Sequence, residues 1–412
     1  MLRKCCMPLC LSLFLYLQLA FGATLTASSC ELTDVSTTVT AAIDGDTVRI
    51  PAGTCTWTAR LAITTAITLQ GQGAGSTIIR DANNGSPTEL IKFTLVANLP
   101  SRLTGIEFNN GGRTVHNSDG IILISGGTGD TRTMRIDHCK FDHMNGVQIN
   151  ISGAFGVADH NTFLITPVQY AFHVHHAGLW AGIGSSFGDG SWASPVAFGS
   201  SQFWFIEDNI ITHNTGQFYF AVDTFNGGRW VFRYNTLTRA NLTLHGTESS
   251  GRQRSGRAAE VYNNTFDSNA ASFNENLITF RGGTGVVYNN TASNWSPTPR
   301  IELSDYRTYG PFNIWAIADG TAVWDINDSG GPFYTGTAIV GSGVRTVVVS
   351  GTPWSVNQWQ GYSVHKTGGC TGIFCGQRIS SNTSNTLALA SCQGFCGTEM
   401  TFADGETFEI QR

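Results

Sequence analysis

One short phrase returns along the centre of this chain and limits what it can fold into. It reads Ile136-Asp-His-Cys-Lys-Phe141, then Ala158-Asp-His-Asn-Thr-Phe163, then Ile206-Glu-Asp-Asn-Ile-Ile211. It comes back as Phe232-Arg-Tyr-Asn-Thr-Leu237, Val261-Tyr-Asn-Asn-Thr-Phe266 and Val287-Tyr-Asn-Asn-Thr291. Its fourth position holds Cys139, Asn161, Asn209, Asn235, Asn264 and Asn290, at intervals of 22, 48, 26, 29 and 26 residues. A repeat of that length, rich in β-formers and without helical periodicity, is one coil of a β-solenoid. The interval of 48 divides into two coils of 24 if Ser185, Ser186 and Phe187 form a degenerate copy, and that extra coil is expected.

An Asn recurring once per coil has a physical cause. Stacked strands lie ~4.8 Å apart, so a buried turn amide donates to, and accepts from, its equivalents one coil away. No polar group is then orphaned. The apolar residues Ile136, Ile206, Phe232, Val261 and Val287 before it, and Phe141, Phe163 and Phe266 after it, are expected to point inward and stack. Cys139 fills a ladder slot, which predicts a buried, unpaired thiol and no nucleophilic role.

Composition agrees. Charged residues are only 13% of the 412, yet mean hydropathy is −0.04, so polarity comes from Asn, Thr, Ser and Gly. That suits short stacked strands with many turns. A net charge of −5 argues against a nucleic-acid partner, which needs a basic face. An acidic glycan needs only a local basic patch.

Residues 1–22 carry a basic start (Arg3, Lys4), an apolar run from Leu9 to Ala20, and small residues at Ala20 and Gly22. This reads as a secretory signal peptide. A membrane anchor is the alternative, but the run is short of the ~20 residues a span needs, and no later segment is apolar enough to span. Export to an oxidising compartment makes disulfides of Cys30, Cys55, Cys370, Cys375, Cys392 and Cys396 the expectation, with the C-terminal pairing open. The last four also have spacings a zinc site can use.

On the Asn phrase, the chain resembles the pectin-lyase-like superfamily of right-handed parallel β-helices, whose Asn ladder lies in one inter-strand turn. The likeness covers about residues 30 to 300. Val35, Val39 and Ala42, followed by Gly45-Asp-Thr-Val-Arg-Ile-Pro51, resemble the N-terminal cap and first strand of that family. Gly71-Gln-Gly-Ala-Gly75 mimics a nucleotide loop, but no βαβ pattern follows and it reads as a coil turn. The resemblance implies an all-β parallel β-helix over residues 23–311 with an N-terminal cap. The phrase stops near Pro311, so residues 312–412 form a small C-terminal β module or cap. There Trp315, Trp324, Trp354 and Trp359 either fill a small core or offer rings for stacking on sugar.

Matching positions in a parallel solenoid stack in columns, so chemistry can be sought by column. Aligning strand ends gives an outward column of Asn150, His175, Asp223, His245 and Arg281. The loop from His245 to Arg257 adds Glu248, Arg252, Arg254 and Arg257. Breaking a uronic-acid chain by β-elimination needs a cation for the carboxylate, a base for the C5 proton and an acid for the leaving oxygen. His175, Asp223, His245, Glu248, Arg254, Arg257 and Arg281 supply those residue types. Hydrolysis instead needs two carboxylates across the bond, which Asp223 and Glu248 offer. The structural alternative has the arginines pairing with Asp223, Glu248 and Glu260 to pin a long turn.

A second column, Asp137, Asp159, Glu207, Arg233, Tyr262 and Tyr288, lies two residues before the ladder. Its acids either share Ca²⁺ or form a solvated polar face. Ile136-Asp-His resembles a short pectate-lyase motif, but the Arg-x-Pro-x-x-Arg phrase that accompanies it is absent, which counts against Ca²⁺-dependent pectate-lyase chemistry. His173, His175 and His176 form a run of possible metal ligands. Two functions follow: an extracellular polysaccharide lyase acting on acidic glycan, with hydrolase less favoured, or a non-catalytic glycan-binding adhesin or structural surface protein. Fold alone does not choose between them.

Overall fold

A computed structural model describes residues 22–116, 120–126, 131–165, 170–176, 195–213, 219–245, 255–269, 276–295, 298–303, 333–367, 376–391 and 399–411. The chain winds through three parallel sheets, giving one strand to each per coil. Sheet 1 has ten strands, from Thr24–Thr26 to Thr284–Tyr288. Sheet 2 has nine, from Gly53–Trp57 to Thr291–Ser293, and sheet 3 nine, from Leu61–Ile63 to Ile301–Leu303. The helix Leu32–Ala41 precedes the coils and buries Val35 and Val39 against them. Cys30 and Cys55 form a disulfide there, and the buried Trp57 indole donates to Cys30 O at 2.9 Å.

Period-2 alternation builds the core. In sheet 2, Phe108, Phe141 and Phe163 pair in register, point inward and stack at 5.3 and 4.9 Å. Complete burial of a Phe contributes ~1.5–3 kcal/mol relative to exposure. The column continues through Ile211, Leu237 and Phe266. The inward column of sheet 1 holds Ile136, Ala158, Ile206, Phe232 and Val261.

The Asn ladder occupies the turn from sheet 1 to sheet 2. Each rung's Oδ1 accepts the backbone N–H of the rung before it: Cys139 to Asn161, Asn161 to Asn209, Asn209 to Asn235, Asn235 to Asn264 and Asn264 to Asn290, at 2.9–3.0 Å. The residue ahead of each rung is left-handed, with φ between 52° and 59° at His138, His160, Asp208, Tyr234, Asn263 and Asn289. Cys139 is buried and free, and burial pushes its thiol up to about 12.

The extra coil is not there. Asn161 bonds directly to Asn209, and Ala158 pairs with Ile206, so the 48 residues make a single coil with a long insertion. Ser185, Ser186 and Phe187 lie outside the described residues. A period alone cannot separate two regular coils from one that carries an excursion.

Among the described residues after 333, six strands form an antiparallel sheet with its own core of Val347, Trp354, Val364, Ile379, Leu387 and Phe408. Trp354 and Trp359 are buried in that core and offer no ring for sugar stacking. Trp315, Trp324, Cys370, Cys375, Cys392, Cys396 and residues 1–21 lie outside the described residues. Among the described residues, no helix is long and apolar enough to cross a membrane.

Candidate functional site on sheet 3

The outer face of sheet 3 gathers His173, His175, Asp223, His245 and Arg281, but not in one column. Asn150 pairs with His173, and His173 with Asp223. His175 pairs with Ser152, two residues further along. His245 and Arg281 directly follow the paired residues Leu244 and Phe280, and Arg281 N–H donates to Leu244 O at 2.9 Å. The predicted column is therefore two neighbouring columns, one carrying Asn150, His173 and Asp223, the other His175, His245 and Arg281. A bulge between Phe220 and Val222 further interrupts the register of this sheet, where Tyr219–Thr224 meets Ala240–Leu244.

The two columns touch through side chains. His245 Nδ1 lies 3.0 Å from Asp223 Oδ1 and 3.1 Å from Oδ2. Thr224 N–H donates to Asp223 Oδ1 at 2.8 Å. Burial alone would raise the Asp223 carboxyl. The charge and hydrogen bond of His245, the charge of His173 and the Thr224 N–H outweigh it and hold Asp223 below the ordinary carboxylate value. An ionised Asp223 keeps a proton on the facing His245 Nδ1, so whenever the ring is neutral it is Nε2 that carries the lone pair.

His175 differs. Its Nε2 donates to Asn150 Oδ1 at 3.0 Å, and its ring stacks on Phe225 at 5.1 Å with 13° between planes. Burial first, then the charges of His173 and His176, lower its pKa to about 3, so it is neutral. Phe225 also meets His173 at 4.5 Å. His176 belongs to the frame: its Nδ1 accepts from Arg229 N–H at 3.0 Å and its Nε2 donates to Ala154 O at 2.9 Å. With both nitrogens engaged, it cannot join His173 and His175 as a metal ligand.

Arg257 precedes the sheet 1 strand Ala258–Tyr262, its N–H donating to Gly228 O at 2.8 Å. Its neighbours Glu248, Arg252 and Arg254 lie outside the described residues.

The acidic column of sheet 1 has the predicted register, with Asp137, Asp159, Glu207, Arg233, Tyr262 and Tyr288 pairing in turn. Its acids face guanidinium groups rather than a cation site. Arg102 forks onto both Asp137 oxygens at 2.8 and 2.5 Å, and Arg135 onto those of Asp159 at 3.0 and 2.7 Å. Arg233 Nε donates to Glu207 at 2.5 Å. No group of three or more His, Cys, Asp or Glu stands ready for a metal ion among the described residues. In this structure the Asp137, Asp159 and Glu207 oxygens named for Ca²⁺ bond to Arg102, Arg135 and Arg233.

No family model and no curated protein matches this chain. Solved structures do. A PL6 family alginate lyase, AlyGC, is 13% identical over 66% of this chain with a TM-score of 0.32, and the chain spans 40% of that enzyme's length. An alginate lyase from Paenibacillus sp. str. FPU-7 is 13% identical, covering 68% of this chain and 98% of its own, with a TM-score of 0.25. The tailspike of E. coli bacteriophage HK620, solved with a pentasaccharide, is 12% identical over 89% of this chain and 86% of its own, with a TM-score of 0.22. The three parallel sheets, each taking one strand per coil, make the fold a parallel β-helix by themselves.

Within this β-helix the sequence reading passed over Phe225 and the structural role of His176. Phe225 directly follows Thr224, which pairs with Val174. Its signal was therefore present, but on the coil that holds the bulge.

Proposed function

We propose that this β-helix is an exported protein that acts on extracellular polysaccharide and cleaves an acidic glycan by β-elimination at the sheet 3 cluster. The observation that carries this is the Asp223–His245 contact at 3.0 Å, with Arg281 one strand spacing further along. His245 Nε2 takes the C5 proton of a uronate. The C4–C5 double bond forms as the C4–O bond breaks. The imidazolium, stabilised by Asp223, returns its proton to the departing oxygen. Arg281 faces the carboxylate and stabilises the charge that develops during proton removal. His175 and Asn150 act as positioning residues through their mutual bond. Arg254 and Arg257 are further cations for the carboxylate, and Asp223 with Glu248 is the pair that hydrolysis would use.

A second function, glycan binding without chemistry, is favoured by burial: the Asp223 side chain is 5% exposed and that of His245 18%. One experiment separates them. The protein is incubated with a panel of acidic polysaccharides while the ultraviolet absorbance of unsaturated uronate ends is followed. Wild type is expected to release product, with His245→Ala slower by ~100-fold or more and Arg254→Ala also impaired. Binding without product on any substrate overturns the lyase. Activity that survives both substitutions overturns the site.

A further inference from the structure

Sheet 2 is a separate sheet from the one that carries the cluster just described, and its outer face carries an open cleft of about 480 Å³. That lies within the ~300–1,000 Å³ range of small-ligand sites. Thr56, Arg80, Asn109 and Asp142 pair in succession and form one outward column along it. Asn110 and His143 complete the polar lining. Gly111 lies against Arg80 so closely that a Cβ there would sit 2.6 Å from Arg80 Cβ, so a side chain at this point would force Arg80 to shift.

Charge in the cleft is uneven. Asp142 is held by Lys140 at 2.7 Å and by the adjoining His143 ring, and Lys140 also reaches Glu107 at 3.2 Å. Arg80 is exposed and makes no ion pair among the described residues. Beside it, Asn109 Oδ1 is shielded from bulk solvent and has no hydrogen-bond donor among the described residues. A buried acceptor without a donor is unfavourable, and a ligand that brings a donor removes that penalty. The cleft therefore presents a guanidinium that no described carboxylate pairs with, and behind it an amide oxygen that no described donor meets.

From this geometry we infer a second sugar subsite on sheet 2, which binds a uronate unit of an acidic polysaccharide without cleaving it. The uronate carboxylate meets Arg80, and a ring hydroxyl donates to Asn109 Oδ1. Asp142 is committed to Lys140 and His143, so the cleft offers binding and no spare base. A polymer engaged here stays near the chain, raising the local concentration of cleavable units at sheet 3. This rests on the polysaccharide function proposed above.

Affinity electrophoresis of the full chain through gels containing polygalacturonate, alginate or neutral dextran tests it. The acidic polymers are expected to retard wild type and dextran is not. Arg80→Gln should weaken retardation ~10-fold, as loss of a charge-assisted contact does. Asn109→Leu should weaken it less, as loss of a neutral hydrogen bond does, and Arg80→Lys should restore part of the Arg80→Gln loss. Equal retardation of wild type and Arg80→Gln overturns the subsite while leaving the polysaccharide function standing. Dextran retardation as strong as that by the uronans overturns the acidic preference. Failure of every polymer to retard wild type overturns both. Arg80 is exposed and makes no ion pair among the described residues, so its variants are expected to melt with wild type, and unfolding curves check this.

Discussion

Asn161 donates its side-chain amide to Asn209 Oδ1 at 3.0 Å across 48 residues of chain, the same bond that Asn235 makes to Asn264 at 3.1 Å across 29. Rung geometry is thus independent of the length of chain between rungs. Asn209→Ala would orphan the Asn161 backbone N–H and the carbonyl of Ala158 inside the stack. Each buried unsatisfied group costs ~1–3 kcal/mol, so a loss of roughly 2–6 kcal/mol is expected in urea unfolding. Asn290→Ala, at the half-buried last rung, should cost clearly less. Equal losses at both positions would refute the internal ladder as a stabilising device.

Cys139 occupies a slot already furnished for Asn. Its Sγ lies 3.4 Å from Asp137 O and 4.0 Å from Leu103 O, and the backbone N–H of Ile106 points at it. Those are the groups an Asn amide would donate to and accept from. Cys139→Asn should therefore extend the ladder by one rung and stabilise the protein by ~1 kcal/mol, the net value of an added hydrogen bond. A fall in the urea midpoint would show that the slot is shaped for sulfur.

How much was legible depended on what fixed the register. The ladder phrase ties sheet 1 to a constant offset, and the column from Asp137 to Tyr288 came out in true order. Sheet 3 strands follow loops of varying length, and nothing in the sequence marks the bulge at Phe220. Alternation kept His175, Asp223 and His245 on the outer face, since a slip of two residues preserves the face, but the slip moved them into different columns. Coils before Ile136 carry no Asn rung, so the cleft at Arg80 and Asn109 had no repeat to announce it. The arginines that neutralise Asp137 and Asp159 were equally hidden. Arg102 stands one coil before Asp137, and Arg135 one coil before Asp159.

Arg113 and Asp81 form a fully buried ion pair at 2.6 Å, and Arg113 also donates to Thr88 O at 2.7 Å. Removing one partner leaves a buried charge. Arg113→Met should cost ~3–5 kcal/mol, whereas Arg113→Met with Asp81→Leu should recover much of that loss, because replacing both charges removes the desolvation cost. Urea unfolding of the two variants measures it. A double variant no more stable than the single one would mean that the pair's bonds to loop backbone matter more than its charges.

His176 links the β-helix to pH. It accepts at Nδ1 from Arg229 N–H and donates at Nε2 to Ala154 O, so only the neutral ring fits. Protonation would set two N–H groups against each other at Nδ1. Burial first, with the Arg229 charge adding to it and the Ala154 bond opposing, lowers its pKa from 6.5 to about 4. The unfolded chain takes up the proton near 6.5 and the folded chain resists it until about 4. The stabilisation is therefore complete above 6.5 and drains away as pH falls toward 4. By linkage the full loss is roughly 3 kcal/mol. His175, lowered to about 3 by burial, acts in the same direction. Urea unfolding across this range should show wild-type stability falling. His176→Gln starts less stable at neutral pH but should fall less steeply, by about the His176 share. Parallel curves for the two proteins would remove His176 as a source of the acid sensitivity.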